Sequence, residues 1–408
     1  MECGLLGRKL GHSYSPQIHS LLGDYRYSLF EREPEQLEAF LKTGDFQGIN
    51  VTIPYKKAVI PFLDALTPTA QRLGSVNTIV RQPDGSLLGH NSDYFGFVSL
   101  IRHSGIAVAG KKVLVLGSGG TSAMAVQALL DLGARPVVIS RGGENHYGNL
   151  HLHQDAAVIV NTTPVGMYPG TGQAPLALEG FPKLEGVVDV IYNPAKTKLL
   201  LDAQRLGIPG CNGLWMLVAQ AKEAAEYFTG SPIEDAKIAA IYRQLSRQMR
   251  NLTLIGMPGS GKSTIGQQLA AVLSRKFVDL DAEIARQAGL SIPQIFDAQG
   301  EAGFRALETQ VLETYSKESG LVLATGGGIV TQPQNLPLLA QNSHVCWLKR
   351  PLHLLPREGR PLSQQNSLAA LYQAREPLYA QAADFSVWNE GSIQETVQEI
   401  LSLWEDVL

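Results

Sequence analysis

Short β-branched and aliphatic runs recur along the chain, separated by stretches long enough for a helix. Residues 113–116, 137–140, 157–161 and 187–191 form one series, and residues 252–255, 277–280, 321–324 and 345–348 form a second. Strands alternating with helices predict parallel sheets covered by helices on both faces, an α/β fold. Between the two series lies SPIEDAKIAAIYRQLSRQMR, in which Ile238, Ile241, Leu245 and Met249 recur at helical spacing. Ser231 as cap, Pro232 at the first helical position, acids early and Arg247 and Arg250 late predict a helix that starts at residue 231 and packs on one face. No repeat, low-complexity tract or Ser/Gly-rich linker intervenes, so the junction should be stiff.

Each series opens on a glycine-rich turn set between its first strand and a helix. That arrangement points backbone N–H groups and the positive end of a helix dipole at a phosphate, so two nucleotide sites are expected. The second turn, GMPGSGKS at 256–263, fits G-x-x-x-x-G-K-[ST] in full. Gly259, Ser260, Gly261, Lys262, Ser263 and Thr264 are its ATP-binding candidates, with Lys262 reaching the transferred group and Ser263 a ligand for Mg²⁺. The first turn, GSGGTS, offers Gly117, Ser118, Gly119, Gly120 and Thr121, but puts Ser122 where a dinucleotide fingerprint has its third small residue. The next strand ends on Ser140 and Arg141, where NAD enzymes place an acid, and an arginine there favours the 2′-phosphate of NADP(H).

Composition narrows the ligands. A chain of 408 residues exceeds one ordinary core, so several domains are expected. A formal charge of -3 leaves no basic excess for a nucleic-acid partner. Cys3, Cys211 and Cys346 are scattered and odd in number, which supports neither disulfides nor a cysteine metal site. With no apolar run of spanning or signal length, a soluble cytoplasmic protein acting on small molecules is expected. His12, His19, His146, His151 and His153 lack companion acids or cysteines at ligand spacing and are read as non-metal residues.

Residues 4–245 resemble shikimate dehydrogenases. The resemblance rests on SYSPQIH at 13–19, GINVTIPYK at 48–56, SVNTI with Asn77, HNSDYFGF with Asp93 and GLWMLVAQA with Gln220. It implies that Ser13, Ser15, Thr52, Lys56, Asn77, Asp93 and Gln220 hold the substrate, with Lys56 and Asp93 the catalytic pair. Hydride transfer at an alcohol carbon needs a partner for the hydroxyl proton, and a lysine held by a carboxylate can supply it. The family's second arginine in the NADP turn is missing here and Glu144 lies close, which leaves NAD open.

Residues 251–408 resemble shikimate kinase. FVDLDAEI, GEAGFRALE, ATGGGIV and AREPLYA carry the likeness. It implies that Asp279 supports the metal with Ser263, that Asp281 binds the acceptor hydroxyl as candidate base, and that Arg305, oriented by Glu308, pairs with the substrate carboxylate beside Arg375. Gly326, Gly327 and Gly328 match a backbone clamp on the ring, and Arg357 and Arg360 match a nucleotide-covering lid, shortened between the two arginines. Taken singly, Asp281 reads equally as a helix-start acid, Arg305 as a surface partner of Glu308, and Arg375 as solvated. Their order behind a complete phosphate loop decides for the kinase.

Together these imply a two-lobed dehydrogenase, with a substrate lobe at 1–102 completed by 213–246 and a Rossmann NADP-binding lobe at 103–212, followed by a P-loop kinase domain at 251–408. The first half would reduce 3-dehydroshikimate to shikimate with NADPH, and the second would phosphorylate shikimate with ATP and Mg²⁺. Two alternatives stand: an NAD-preferring quinate/shikimate dehydrogenase half, and a sensor or repressor of decayed enzyme domains, which should have lost its catalytic residues.

Overall fold

The structure is a computed structural model and describes residues 1–11, 13–355 and 368–406. His12, Arg357 and Arg360 lie outside the described residues. The chain forms two compact units, one of Met1–Val165, Pro175–Tyr192 and Asp202–Gln244, the other of Gly166–Ala174, Asn193–Leu201 and Leu245–Leu408. No described helix is long and apolar enough to cross a membrane.

The first unit holds two sheets. One runs in the order β2-β1-β3-β5-β6-β4, from β1 (Glu2–Gly7), β2 (Arg26–Glu31), β3 (Gly48–Val51), β4 (Ala65–Leu66), β5 (Thr78–Arg81) and β6 (Leu87–His90). This sheet departs from the all-parallel expectation, because β5 runs antiparallel to both β3 and β6. The cause is local. Asp84 accepts the Ser86 N–H at 3.0 Å and Gly85 takes φ +86°, so the chain reverses in a hairpin where only a crossover had been expected.

The second sheet is parallel throughout, in the order β11-β10-β9-β7-β8. Its strands are β7 (Lys112–Leu116), β8 (Arg135–Ile139), β9 (Val158–Asn161), β10 (Gly186–Asp189) and β11 (Gly210–Cys211). The chain goes from β7 to β8 on one side and returns to β9 on the other. The carboxyl ends of β7 and β9 therefore flank the crevice where open α/β sheets bind ligands.

Two helices, Ser92–Ser104 and Leu214–Thr229, cross at close quarters in this unit. A side chain at Gly96 would stand 2.8 Å from the Met216 carbonyl and 2.9 Å from the Gln220 Cβ, so the crossing requires glycine there. Such closeness sets Gln220 beside the first turn of the other helix.

His19 is buried between aromatic rings, stacked 4.0 Å from Tyr27 and hydrogen-bonded to the Tyr25 hydroxyl at 2.7 Å. Burial pulls its imidazole down to about 3 from an ordinary 6.5. Between those values the unfolded chain binds the extra proton, so stability is full above pH 6.5 and falls as pH drops toward 3. By pH 5 this group alone should cost the unit about 2 kcal/mol. Melting at pH 7.5 and 5.0 should show the loss, and His19→Gln should shrink the difference; an unchanged difference would contradict the assignment.

The second unit carries one parallel sheet, β13-β14-β12-β15-β16, formed by β12 (Asn251–Ile255), β13 (Lys276–Asp279), β14 (Leu321–Ala324), β15 (Ser343–Lys349) and β16 (Phe385–Trp388). Four of these strands agree with expectation to within two residues, and β16 was not expected. The central β12 has later strands on both sides, which makes its carboxyl end the switch point, and the phosphate loop leaves from there.

The helix expected from residue 231 begins at Ala236 and runs to Met249. Residues just before it are tied down by side chains instead. Ile233 N–H donates to the Glu226 carboxylate at 2.7 Å, and Asp235 accepts from the Lys222 ammonium at 2.9 Å. Ile238, Ile241, Leu245 and Met249 are all buried, as their spacing requires.

Candidate active sites

In the first unit a cavity of about 300 Å³ opens over the carboxyl ends of the strands, and Ser13, Ser15, Thr52, Lys56, Asn77, Asp93 and Gln220 all line it. Five separate segments converge there. Ser15 starts the helix Ser15–Leu22, its N–H donating to the Ser13 hydroxyl at 3.2 Å. Thr52 follows β3 and donates its N–H to the Leu6 carbonyl at 2.9 Å, closing a turn in which Tyr55 N–H reaches the Thr52 carbonyl at 2.9 Å. That turn presents Lys56, whose own carbonyl is held by the Val76 N–H at 2.8 Å.

The Lys56 ammonium donates to the Asp93 carboxylate at 2.6 Å, and both side chains remain partly open, 28% and 19% exposed. Asp93 sits in the first turn of Ser92–Ser104, where the helix dipole favours a carboxylate. Asn77 fixes that helix start, its side-chain oxygen accepting the Ser92 N–H at 2.7 Å. Ser92 in turn donates its hydroxyl to Gln220 at 3.4 Å. The result is a fixed polar wall with one ammonium at its centre. Asn50, Tyr192 and Met216 also line the cavity. The sequence reading passed over them; Asn50 could have been found, since it lies within the quoted GINVTIPYK motif and its side chain accepts the Tyr27 hydroxyl at 2.8 Å.

The glycine turn reaches this cavity at Thr121. Gly117 takes φ +111°, and side chains at Gly119 or Gly120 would meet nothing within 4 Å, so the backbone of the helix start stands open to a ligand phosphate. Ser122, the departure from the fingerprint, donates its hydroxyl to the Gly117 carbonyl at 2.7 Å. A hydroxyl closes the turn where a third small residue would pack. Ser140 ends the neighbouring strand region with its N–H on the Asn145 carbonyl at 3.1 Å, and Arg141 is exposed. His146 accepts the Gly148 N–H at 3.1 Å and His153 contacts the Asn145 side chain at 2.9 Å, so both serve this loop.

In the second unit a cavity of about 540 Å³ is lined by Gly259, Gly261, Lys262, Ser263, Thr264, Asp279, Asp281, Arg305, Glu308, Gly326, Gly327, Gly328 and Arg375. Ser260 departs from the expectation. It is fully buried and does not line the cavity, and its carbonyl accepts from Asn389 at 2.8 Å, so it braces the loop from behind. Gly256, Gly259 and Gly261 take φ of +144°, +85° and +99°, the left-handed turns that fold the loop around a phosphate. The Lys262 ammonium lies inside, donating to the Gly256 and Met257 carbonyls at 2.9 and 3.0 Å.

Ser263 donates its hydroxyl to one Asp279 oxygen at 2.5 Å. The other Asp279 oxygen caps the helix Leu280–Ala288, accepting the Asp281 and Ala282 N–H groups at 3.1 and 3.3 Å. One carboxylate oxygen and one hydroxyl thus share a fixed spot, hard donors of the kind Mg²⁺ takes through few protein ligands. These residues fit the metal.

The side of the cavity across from the phosphate loop is built around three glycines. A side chain on Gly326 would stand 2.6 Å from Glu308 and 2.7 Å from Asp281, and one on Gly327 would stand 2.5 Å from Pro258. One on Gly328 would collide with the Arg305 guanidinium. Arg305 and Glu308 do pair, at 2.7 Å, but not on the surface: their side chains are 7% and 0% exposed. Burial pushes the Glu308 carboxyl above its ordinary range while Arg305 pulls it back. Arg375 is buried as well and donates to the Gly327 carbonyl at 3.1 Å. The sequence reading missed Arg350, which donates to the Gly259 carbonyl at 3.4 Å, and the apolar wall of Phe296 and Phe304.

Comparison with known proteins finds relatives for both halves of the chain. Residues 258–405 match the family model for shikimate kinase, and residues 5–79 match that for the shikimate dehydrogenase substrate binding domain. A shikimate dehydrogenase (NADP(+)) of Clostridium perfringens is 34% identical over 264 residues, covering 59% of this chain and 97% of the relative. The solved chorismate mutase/shikimate 5-dehydrogenase fusion protein of Clostridium acetobutylicum is 34% identical with a TM-score of 0.57, over 60% of this chain and 96% of that one. A shikimate 5-dehydrogenase of Thermus thermophilus, solved in complex with NADP(H) and shikimate, is 30% identical with a TM-score of 0.54, over 60% of this chain and 99% of that one. The chain therefore belongs to the shikimate dehydrogenase family and carries, after that part, a shikimate kinase domain.

Proposed function

We propose that the chain catalyses two consecutive reactions: reduction of 3-dehydroshikimate to shikimate with NADPH, and transfer of the ATP γ-phosphoryl group to the hydroxyl that reduction has just created. The observation that carries this reading is that each set of expected substrate residues shares one cavity, with the Lys56–Asp93 pair in the first and Asp281 beside the phosphate loop in the second.

In the first site Ser13 and Ser15 take the substrate carboxylate, and Asn77 and Gln220 take ring hydroxyls. Lys56 donates a proton to the carbonyl oxygen as it becomes an alcohol, and Asp93 holds the ammonium in line. Residues 117–121 would hold NADPH, with Arg141 the partner for its 2′-phosphate, and the bound cofactor would supply the hydride. An exposed arginine at that position supports NADP(H) over NAD(H), since a 2′-phosphate gains a charge-assisted partner there.

In the second site Arg305 and Arg375 hold the shikimate carboxylate, and the backbone at 326–328 lies against the ring. Asp281 accepts the proton of the attacking hydroxyl. Lys262 and the loop N–H groups hold the phosphates, and Ser263 and Asp279 would hold Mg²⁺, which when bound would neutralise charge on the transferred group.

One assay tests the whole. Supplied with 3-dehydroshikimate, NADPH and ATP-Mg, the enzyme should form shikimate 3-phosphate; accumulation of unphosphorylated shikimate would refute the second activity, and no NADPH consumption the first. Rates with NADPH should exceed those with NADH by at least tenfold, about the effect of one charge-assisted contact. Equal use of NADH would overturn the cofactor assignment.

A further inference from the structure

Arg305 has two carboxylate partners, and they are not alike. Glu308 is fully buried and holds one terminal nitrogen at 2.7 Å. Glu301 holds the other at 3.2 Å and is 53% exposed. The backbone explains why the second partner is where it is. The helix Ile292–Tyr315 is broken at Gly300, which takes φ +69° and ψ -177°, so Glu301 opens a fresh helical turn whose first acid lies four residues before Arg305. An arginine fork that binds a carboxylate side-on needs a free edge with a terminal nitrogen. Here Glu308 holds one terminal nitrogen and Glu301 contacts the other, while the Nε that shares an edge with that second nitrogen has no hydrogen-bond partner among the described residues.

We infer that Glu301 is a stand-in for the substrate carboxylate: it contacts the Arg305 terminal nitrogen that a side-on carboxylate needs and must swing away before the acid group of the substrate can bind. This rests on the reading above that Arg305 receives that carboxylate. A carboxylate binding side-on to Nε and that terminal nitrogen would meet the Glu301 carboxylate at the same nitrogen, where two anions repel, and the asymmetry in burial decides which one yields. Moving Glu308 would strand a buried charge, whereas Glu301 has open solvent to move into and gives up only an exposed ion pair one helical turn long. Keeping the nitrogen occupied also holds Arg305 over Gly328 rather than letting it find another anion, including a phosphate of the nucleotide in the same cavity. Glu301 is thus a positioning residue that sets substrate affinity through Arg305.

The test uses Glu301→Gln in the full chain, with shikimate and its uncharged methyl ester as acceptors. KM for shikimate should fall by about two- to fivefold, the size of effect an exposed pair at this spacing can have. The kcat and the KM for ATP should hold, and KM for the ester should not change, because an uncharged acceptor has nothing to gain from a vacated nitrogen. A KM for shikimate that stays level or rises would overturn the inference, and so would an equal fall for acid and ester. The underlying reading fails separately: if the wild-type enzyme used the ester as well as the acid, Arg305 would not be receiving a carboxylate at all.

Discussion

Lys56→Ala should lower shikimate-dependent NADP reduction by about 10² to 10⁴ in kcat, the range contributed by a positioned group that takes the hydroxyl proton in this direction and returns it in the reverse, while shikimate phosphorylation by the same molecule stays within twofold. The geometry makes the separation clean. Lys56 and Asp93 are both partly open to solvent, so deleting the ammonium leaves the carboxylate hydrated rather than stranded, and the fold loses little. The backbone at Lys56 is fixed by its own carbonyl through Val76, a contact that alanine keeps. Lys56→Arg sharpens the test: it preserves the charge beside Asp93 but holds its proton too tightly to act as an acid near neutral pH, so it should be nearly as inactive as alanine. Retention of most activity by either variant would remove Lys56 from the proton-transfer step, and loss of both activities with melting unchanged would break the division into two sites.

Much of this was legible in the residues, and the failures have physical causes. In each all-parallel sheet four of the five strands were found to within two residues, because a run of apolar side chains flanked by glycine turns has few other readings; the short β11 and the edge strand β16 were not. The hairpin between β5 and β6 was not, since an Asp-Gly reversal of two short strands carries little periodic signal beside long helices. The start of the helix Ala236–Met249 was misplaced because Ser231 and Pro232 form a proper capping signal that tertiary ties at Glu226 and Lys222 override. Local preference is a weak term where a side chain elsewhere offers a better partner. At the sites, motif residues were legible as motifs, but Phe296, Phe304 and Arg350 are legible only in three dimensions. Phe304 stands next to Arg305 within GEAGFRALE but as a letter reads as core, and Phe296 and Arg350 come from segments outside every quoted motif.

Ser122 shows the same boundary in one residue. As letters, it weakens the dinucleotide fingerprint. In the fold its hydroxyl bonds the Gly117 carbonyl and so makes the turn by another route. Sequence patterns record the commonest solution to a packing problem, whereas the structure records whether the problem is solved.

The complementary prediction concerns the phosphate loop. Lys262→Ala should reduce shikimate phosphorylation by about 10² to 10³, as expected when a preorganised charge is removed from the developing transition state, and should leave NADP reduction untouched. Its interpretation needs a second variant. Lys262 is buried and donates to two loop carbonyls, and stripping donors from buried carbonyls costs about 1–3 kcal/mol each. The loop itself could therefore relax, and nucleotide affinity would fall along with the rate. Asp281→Asn avoids this, since it keeps volume and the Lys262 side chain that donates to the two loop carbonyls, and replaces the carboxylate facing Gly326. It should lose about 10²-fold or more in kcat with the KM for ATP unchanged, whereas Lys262→Ala should raise that KM. An Asp281→Asn enzyme with more than a tenth of wild-type kcat would exclude Asp281 as the base. If instead the KM for ATP rose equally in both variants, the carboxylate would be acting on the nucleotide, and the separation of acceptor and phosphate roles within this cavity would have to be redrawn.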